Sequence, residues 1–395
     1  MHVDIGVGGW QPRGRAGGTG SVNATGGAPV LGAAAAVRAT VLVIAGLAAV
    51  LPAAVPVRAG GPTGTPATAG SVAPGAAARG VAAPGLPARG FTAGVLRAVA
   101  GDAGTAVAAG VGVLWWSTPT HLAWHPAAGV DSALNYTTVV KAGGRYLATA
   151  EDGSVWISAD AEGTSFLRRG TAASRPLRAI AQVGGAGLVA VGDSGMIARC
   201  ANLNGMTWTT LASPVTAHLR GVAWNGVSVV AVGDGGTLLQ AGSPGAAWQA
   251  VTIDETRDLL AVTADPAPGF VGRYLAVGRE GAAWRGEGDG LTWTRLDDVS
   301  TGALRGAARD GSTAVVVGDA GAIYWSPGSF ENWVPAVSTV TTNLQAVTSA
   351  GNGFLAVGAD ATVLWSLDGH EWRRAEVPVP VYEVSWGRVK QLFRR

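Results

Sequence analysis

Four arginines share one local context. Arg97, Arg178, Arg220 and Arg305 each follow a leucine and open a run of small and β-branched residues, as in Leu219-Arg-Gly-Val-Ala223. A guanidinium presents a fixed fork of donors that matches a carboxylate or a phosphate. Brought together, these side chains form a docking site for acidic groups on a partner. A counter-arrangement lies close by. Val-Gly-Asp follows three of them at a nearly constant distance, with Asp193 after Arg178, Asp234 after Arg220 and Asp319 after Arg305. Where the two members lie on consecutive strands of a hairpin, they meet at one end and neutralise each other, because partly buried charges are usually paired. Arg97 has Val111 at the acid's position and is therefore the arginine expected to be free.

Other chemistries find less. The single cysteine, Cys200, excludes an internal disulfide and a Cys-based zinc site. The five histidines form no metal-binding pair, so no metal and no cofactor is expected. Gly233-Asp-Gly-Gly236 sits in a strand turn rather than before a helix and is no phosphate loop. A glycoside hydrolase needs two opposed carboxylates. Glu151, Glu280 and Asp360 fall on comparable turns, and nothing singles out a pair.

The elements that position these residues divide the chain in two. Of 395 residues, 48% are hydrophobic and 14% charged, too little charge for a chain disordered throughout. Residues 1–90 carry six arginines and one aspartate, whereas the other 22 basic and 25 acidic groups leave the rest at −3. A mildly acidic body argues against nucleic-acid binding, which runs on a dense positive surface. Residues 1–37 are expected to be a disordered extension, 38–59 an export signal or membrane anchor, and 60–95 a Pro/Gly/Ala-rich linker. The signal rests on Arg38, the apolar run Ala39–Leu51 and the small residues after it. Thr40 to Val57 is long enough to span a bilayer but contains Pro52 and Pro56. The expected location is outside the cytoplasm, periplasmic or extracellular.

Beyond residue 95 a unit of about forty residues recurs, which is the first thing to look for in such a chain. Units start at Leu96, Tyr136, Leu177, Leu219, Leu259, Leu304 and Leu344, and a partial unit at Val381. Their closing aromatics are Trp124, Phe166, Trp208, Trp248, Trp293, Trp333 and Trp372. Each unit holds four strand-like runs separated by Gly and Asp/Asn clusters. In the fourth these are Leu219–Trp224, Val227–Val232, Thr237–Gln240 and Trp248–Ile253. Four strands per forty-odd residues specify a β-propeller blade. The predicted fold is all-β: a seven-bladed propeller of four-stranded antiparallel blades over 96–380, with 381–395 as closing strands. Eight blades are the alternative, should the two chain ends share one more. The small-residue run is the innermost strand, and the closing aromatic fills the wedge between blades. In the ring the four arginines sit at one level near one mouth of the channel, with Thr137, Leu260 and Gln345 at the same repeat position.

Between the third and fourth runs lies a decaying motif: Ser158-Ala-Asp160-Ala-Glu-Gly163, Asn202-Leu-Asn-Gly205-Met-Thr-Trp208, Asp289-Gly290-Leu-Thr-Trp293 and Ser366-Leu-Asp368-Gly369-His-Glu-Trp372. It resembles the Asp-box of bacterial neuraminidase repeats, in which the Asp accepts backbone N–H groups of its own turn, the Gly takes positive φ and the Trp plugs the blade. With Leu-Arg-x-Val and Val-Gly-Asp-x-Gly, the chain is most similar to the photosystem II assembly/stability factor family. That resemblance implies an exported, non-catalytic, monomeric scaffold that docks a protein, such as a membrane-protein assembly intermediate, through an arginine-rich face. It places the Asp-boxes on the opposite face. Membrane contact would come only through 38–59, if uncleaved. The competing class is a carbohydrate-binding or sialidase-like propeller. That would need a three-arginine clamp together with a Tyr nucleophile, and none of the five tyrosines stands out for that role.

Overall fold

The second strand of each unit is its most apolar run. Ala106–Gly110, Leu188–Gly192, Val229–Gly233, Tyr274–Gly278 and Phe354–Gly358 are buried at every residue. A strand apolar on both faces must be covered on both faces. The computed structural model, which describes residues 94–118, 120–264, 272–328 and 330–378, shows how. The expectations for 1–37, 38–59, nearly all of 60–95, most of the loop after Ala264 and 381–395 fall outside the described residues.

The described chain forms seven four-stranded antiparallel sheets, each with its strands in consecutive order, packed face to face around an axis as a seven-bladed β-propeller. The innermost strands are Leu96–Gly101, Tyr136–Ala142, Leu177–Gln182, Leu219–Trp224, Leu259–Ala264, Leu304–Asp310 and Leu344–Ser349. All seven begin at the residues that open the sequence repeats. There is no single core. Seven apolar clusters each occupy the seam between two consecutive sheets, and second-strand residues contribute to the cluster on either side of their blade. One of them joins Leu96, Val99 and Ala108 of blade one to Leu355, Val357 and Val363 of blade seven, and so closes the ring. The eight-bladed alternative is thereby corrected: blade one packs directly on blade seven.

That closing seam uses the same backbone link as others. The segment after an outer strand makes a parallel bridge to the turn before the next blade's closing aromatic: Ala128 to Ser165, Val337 to Glu371 and, across the closure, Glu376 to Ala123. At the closure Trp124 N–H donates to the Glu376 carbonyl at 3.1 Å and Glu376 N–H to the Leu122 carbonyl at 2.7 Å. Among the described residues no strand is exchanged between the two blades.

The closing aromatics divide into two groups. Trp124, Phe166, Trp248 and Trp372 are buried in the seams, whereas Trp208, Trp293 and Trp333 are half-buried. In the fourth blade the outer strand is shorter than expected and spans only Gln249–Ala250, exposed at both residues. Its second strand starts two residues late, at Val229. Asn225 Oδ1 accepts the N–H groups of Val227 and Ser228, both at 2.9 Å, and this turn uses up the start of the run.

A charged mouth of the central channel

The arginine position is defined by a backbone irregularity. In blade four the ladder pairs Leu219 with Gly233 and Gly221 with Val232, leaving Arg220 as an extra residue with no partner across. The same bulge occurs at the second residue of the inner strand in all seven blades. A bulge re-aims the side chain it carries. Here it turns seven side chains toward one end of the channel, where all seven line a cavity of about 300 Å3. Glycine ends the paired second strand because the backbone approaches closely. A Cβ on Gly233 would lie 2.2 Å from the His218 carbonyl oxygen, inside contact distance. The acid that follows is thus delivered beside the bulge.

Three of the arginines meet the aspartates that their spacing predicts. Arg178 donates Nε to Asp193 Oδ1 at 2.8 Å and Nη2 to Oδ2 at 2.6 Å. Arg220 grips Asp234 in the same two-pronged way, at 2.7 and 3.0 Å. Arg305 gives only Nε to Asp319, at 2.6 Å. The hydrogen bonds from Arg178 hold the Asp193 carboxyl below the ordinary carboxylate range, and Asp193 in turn raises Arg178.

Arg97 is not free, which corrects the expectation. Its Nη1 reaches across the seam to Glu151 of blade two at 2.6 Å, and Asn135 Nδ2 donates to the other Glu151 oxygen at 2.8 Å. Asn135 first and Arg97 second hold the Glu151 carboxyl down. Glu151 occupies in blade two the place that Asp193 occupies in blade three: Tyr136 faces Ala150 as Leu177 faces Gly192. Sequence reasoning placed Glu151 only among candidate hydrolase acids; its alignment with Asp193 was the available signal. Blade five inverts the pair. Leu260 sits at the bulge, Arg279 stands in the acid's place, and Arg279 Nε donates to Asp258 Oδ2 at 2.6 Å. Asp258 is held low first by the Gly235 N–H and then by Arg279.

Among the described residues the rim therefore carries five arginines and five acids, each arginine in an ion pair. Its charge is balanced. Beside it, Arg257 binds Glu255 through Nε and Nη2, at 3.0 and 2.9 Å, and also reaches Asp298. Glu255 is the most buried acid of these pairs, and Arg257 holds its carboxyl down to about 2.

The motif residues of the third-to-fourth-strand turns lie at the opposite end of the strands. Asp160 Oδ1 accepts Gly163 N–H at 2.7 Å and Thr164 N–H at 2.9 Å, and Ser158 Oγ donates to the Asp160 carbonyl. Asp368 Oδ1 accepts Ser366 Oγ–H and the His370 and Glu371 N–H groups. Asn202 accepts the Asn204 N–H, and Asp289 the Leu291 N–H. The indole N–H of Trp208, Trp293 and Trp372 donates to the carbonyl of Gly205, Gly290 and Gly369 respectively, at 2.8–2.9 Å. Each of these glycines, like Gly163, has positive φ. These contacts stabilise the turns.

The structure assigns the remaining hydrolase candidates no shared site. Glu151 is committed to Arg97 and Asn135, while Glu280 and Asp360 occupy positive-φ turn positions one residue beyond Arg279 and Ala359, which take the acid's place in blades five and seven. Among the described residues no group of three His, Cys, Asp or Glu is placed to hold a metal.

A ring of seven four-stranded sheets around a channel whose mouth is lined by one bulged residue per blade defines a seven-bladed β-propeller. Among solved structures this chain is similar to two of YCF48, a photosystem II assembly factor. YCF48 bound to a D1 peptide matches at 18% identity and TM-score 0.58, covering 70% of this chain and 94% of that one. YCF48 from Cyanidioschyzon merolae matches at 16% identity and 0.54, covering 71% and 96%. The WD40 repeats of RRP9 match at 11% and 0.50, covering 62% and 81%. At these identities the likeness is one of fold, and it is the fold that the family resemblance implied. No protein-family model and no curated protein matches the chain.

Proposed function

We propose that this protein is an exported, non-catalytic, monomeric scaffold that docks a protein partner on the rim bearing Arg97, Arg178, Arg220 and Arg305. The observation that carries this reading is the bulge shared by all seven inner strands, which aims one side chain per blade at the same mouth. A repeated backbone device that gathers guanidinium groups around a rigid opening suits recognition. Fold alone does not fix a function. Support comes from the paired state of the rim, which leaves donors pointing at the cavity, and from a structural neighbour that is itself bound to a peptide. A membrane-protein assembly intermediate is the finer form of this reading. The turns at the other end, with their Asp-box pattern, are folding devices of the neuraminidase-repeat kind. Export rests on residues 38–59 as a signal or anchor and gives a periplasmic or extracellular location. The test is cross-linking capture from the host envelope with the full chain, comparing wild type with a folded Arg97/Arg178/Arg220/Arg305→Gln variant. A defined protein partner lost by the variant supports the rim. The same partner captured equally by both overturns it.

A further inference from the structure

The ion pairs do not saturate the mouth evenly. Arg178 and Arg220 each commit Nε and Nη2 to a carboxylate. Arg305 commits only Nε, and Arg97 only Nη1. Among the described residues both Nη groups of Arg305, and Nε and Nη2 of Arg97, have no hydrogen-bond partner. Blade seven lies between these two arginines. Its bulge residue is Gln345, whose side-chain amide also lacks a partner among the described residues, and Ala359 stands where other blades carry the acid. The exposed acid of that turn, Asp360, is one residue further on and, like the rim acids, is not among the residues lining the cavity.

Net charge does not distinguish this arc of the mouth: Arg305 and Arg97 are met by Asp319 and Glu151, and Arg178, Arg220 and Arg279 by Asp193, Asp234 and Asp258. What distinguishes it is the number of donors left without a partner among the described residues.

We infer that the arc formed by Arg305, Gln345 and Arg97 is the part of the mouth that takes the partner, and that it takes a single carboxylate next to a short apolar side chain. This rests on the rim being the docking face. The uncommitted guanidinium N–H groups of Arg305 and Arg97, with the Gln345 amide between them, match the two oxygens of one carboxylate. A doubly charged phosphate would bring its second charge against Asp319 and Glu151, at a cost that grows as water leaves the site. Below the arc the cavity wall is Val99, Ala346 and Val347, small apolar surface suited to an alanine or valine beside the acid. The arginines of blades three and four are mainly structural in this arrangement.

The test measures fluorescence anisotropy of labelled nine-residue peptides on the full-length protein. One probe has a central Val-Glu-Val and an amidated end, a second has Val-Gln-Val and a free C-terminal carboxylate, and a third has Val-Gln-Val and an amidated end. The first two separate an acidic side chain from a chain terminus as the source of the carboxylate. The better carboxylate probe is expected to bind at least about tenfold tighter than the neutral one, as a charge-assisted contact predicts. Arg97→Ala/Arg305→Ala is expected to weaken it by about tenfold or more, and Arg178→Ala/Arg220→Ala by less than about threefold. Gln345→Glu breaks no existing pair and fills the arc with a carboxylate of its own. It is expected to abolish the preference for the acidic probe, and it carries the test if the double variant fails to fold. Equal weakening by the two double variants, a neutral probe that binds as well, or Gln345→Glu binding unchanged overturns the inference. Displacement of the probe by inorganic phosphate at lower concentration than by acetate overturns the ligand class. A protein partner lost by the four-arginine variant but retained by Gln345→Glu removes the arc and leaves the docking face standing.

Discussion

The two ends of the propeller are built from different interactions. At the rim, neighbouring strands and blades are tied by ion pairs whose side chains keep roughly a fifth to a half of their surface in water, such as Arg220 with Asp234 at 34% and 26%. At the far end the ties between blades are mostly buried hydrogen bonds. Tyr146 O–H donates to the Thr105 carbonyl of the preceding blade at 2.8 Å, and Tyr274 O–H to the Ser228 carbonyl at 2.6 Å. There the turns are closed by their own Asp, Ser and indole groups. Lys141 with Asp102 is an ion pair of that end, backed by the Tyr146 ring. The dry end fixes the blades, and the wet end keeps hydrogen-bonding capacity for something else.

This contrast can be broken by measurement. The largest effect is expected at Trp372, buried in the seam between blades six and seven with its indole N–H on Gly369. Trp372→Ala should lower the unfolding free energy by about 3–5 kcal/mol in a urea titration. A loss below about 1 kcal/mol would mean the seams do not hold the ring. Next comes Glu255, a rim-side acid that behaves like a dry-end residue. Glu255→Gln should cost about 2 kcal/mol at neutral pH, because hydrogen bonds to a buried charged group are lost. Its carboxyl is lowered from 4.5 to about 2, so that contribution is complete above pH 4.5 and is lost as pH falls toward about 2. The stability gap between variant and wild type should therefore close over that window. A gap independent of pH would detach it from the Glu255–Arg257 pair.

Tyr274→Phe should cost about 1–2 kcal/mol, since the buried Ser228 carbonyl loses its 2.6 Å donor and keeps only the Asn225 N–H at 3.4 Å. Arg220→Ala should cost least, below about 1 kcal/mol, and less still in high salt, which screens part-exposed pairs. If Arg220→Ala proves costlier than Tyr274→Phe, the ends do not differ in the way described.

Much of the fold is written locally and could be found without coordinates. The seven inner strands start at the seven repeat starts because each unit supplies its own apolar second strand, its own turns and its own wedge aromatic. The Arg–Asp pairs of blades three, four and six were legible for the same reason: both partners lie within one hairpin, 14 or 15 residues apart. Arg97 was misread because its partner belongs to the next blade, 54 residues away, and a seam contact has no fixed sequence spacing. The bulge left no mark in composition. An extra residue in a run of small and β-branched side chains looks like any other strand residue, although it decides which way Arg220 points. The swap in blade five hid in the same way, since Val277-Gly278-Arg279 breaks the charge pattern while keeping the backbone.

The seam between blades seven and one gives the ring an unusual divisibility. Among the described residues it is linked through Glu376 and Ala123 just as two other seams are linked through Ser165 and Glu371, so the closure is built like an ordinary seam. Two fragments divided in a loop between blades, for example within 212–218, would each retain whole sheets and would present two matching apolar faces to each other. Such a protein is suited to complementation, in which two inactive arcs expressed apart restore one circle and report on whatever brings them together.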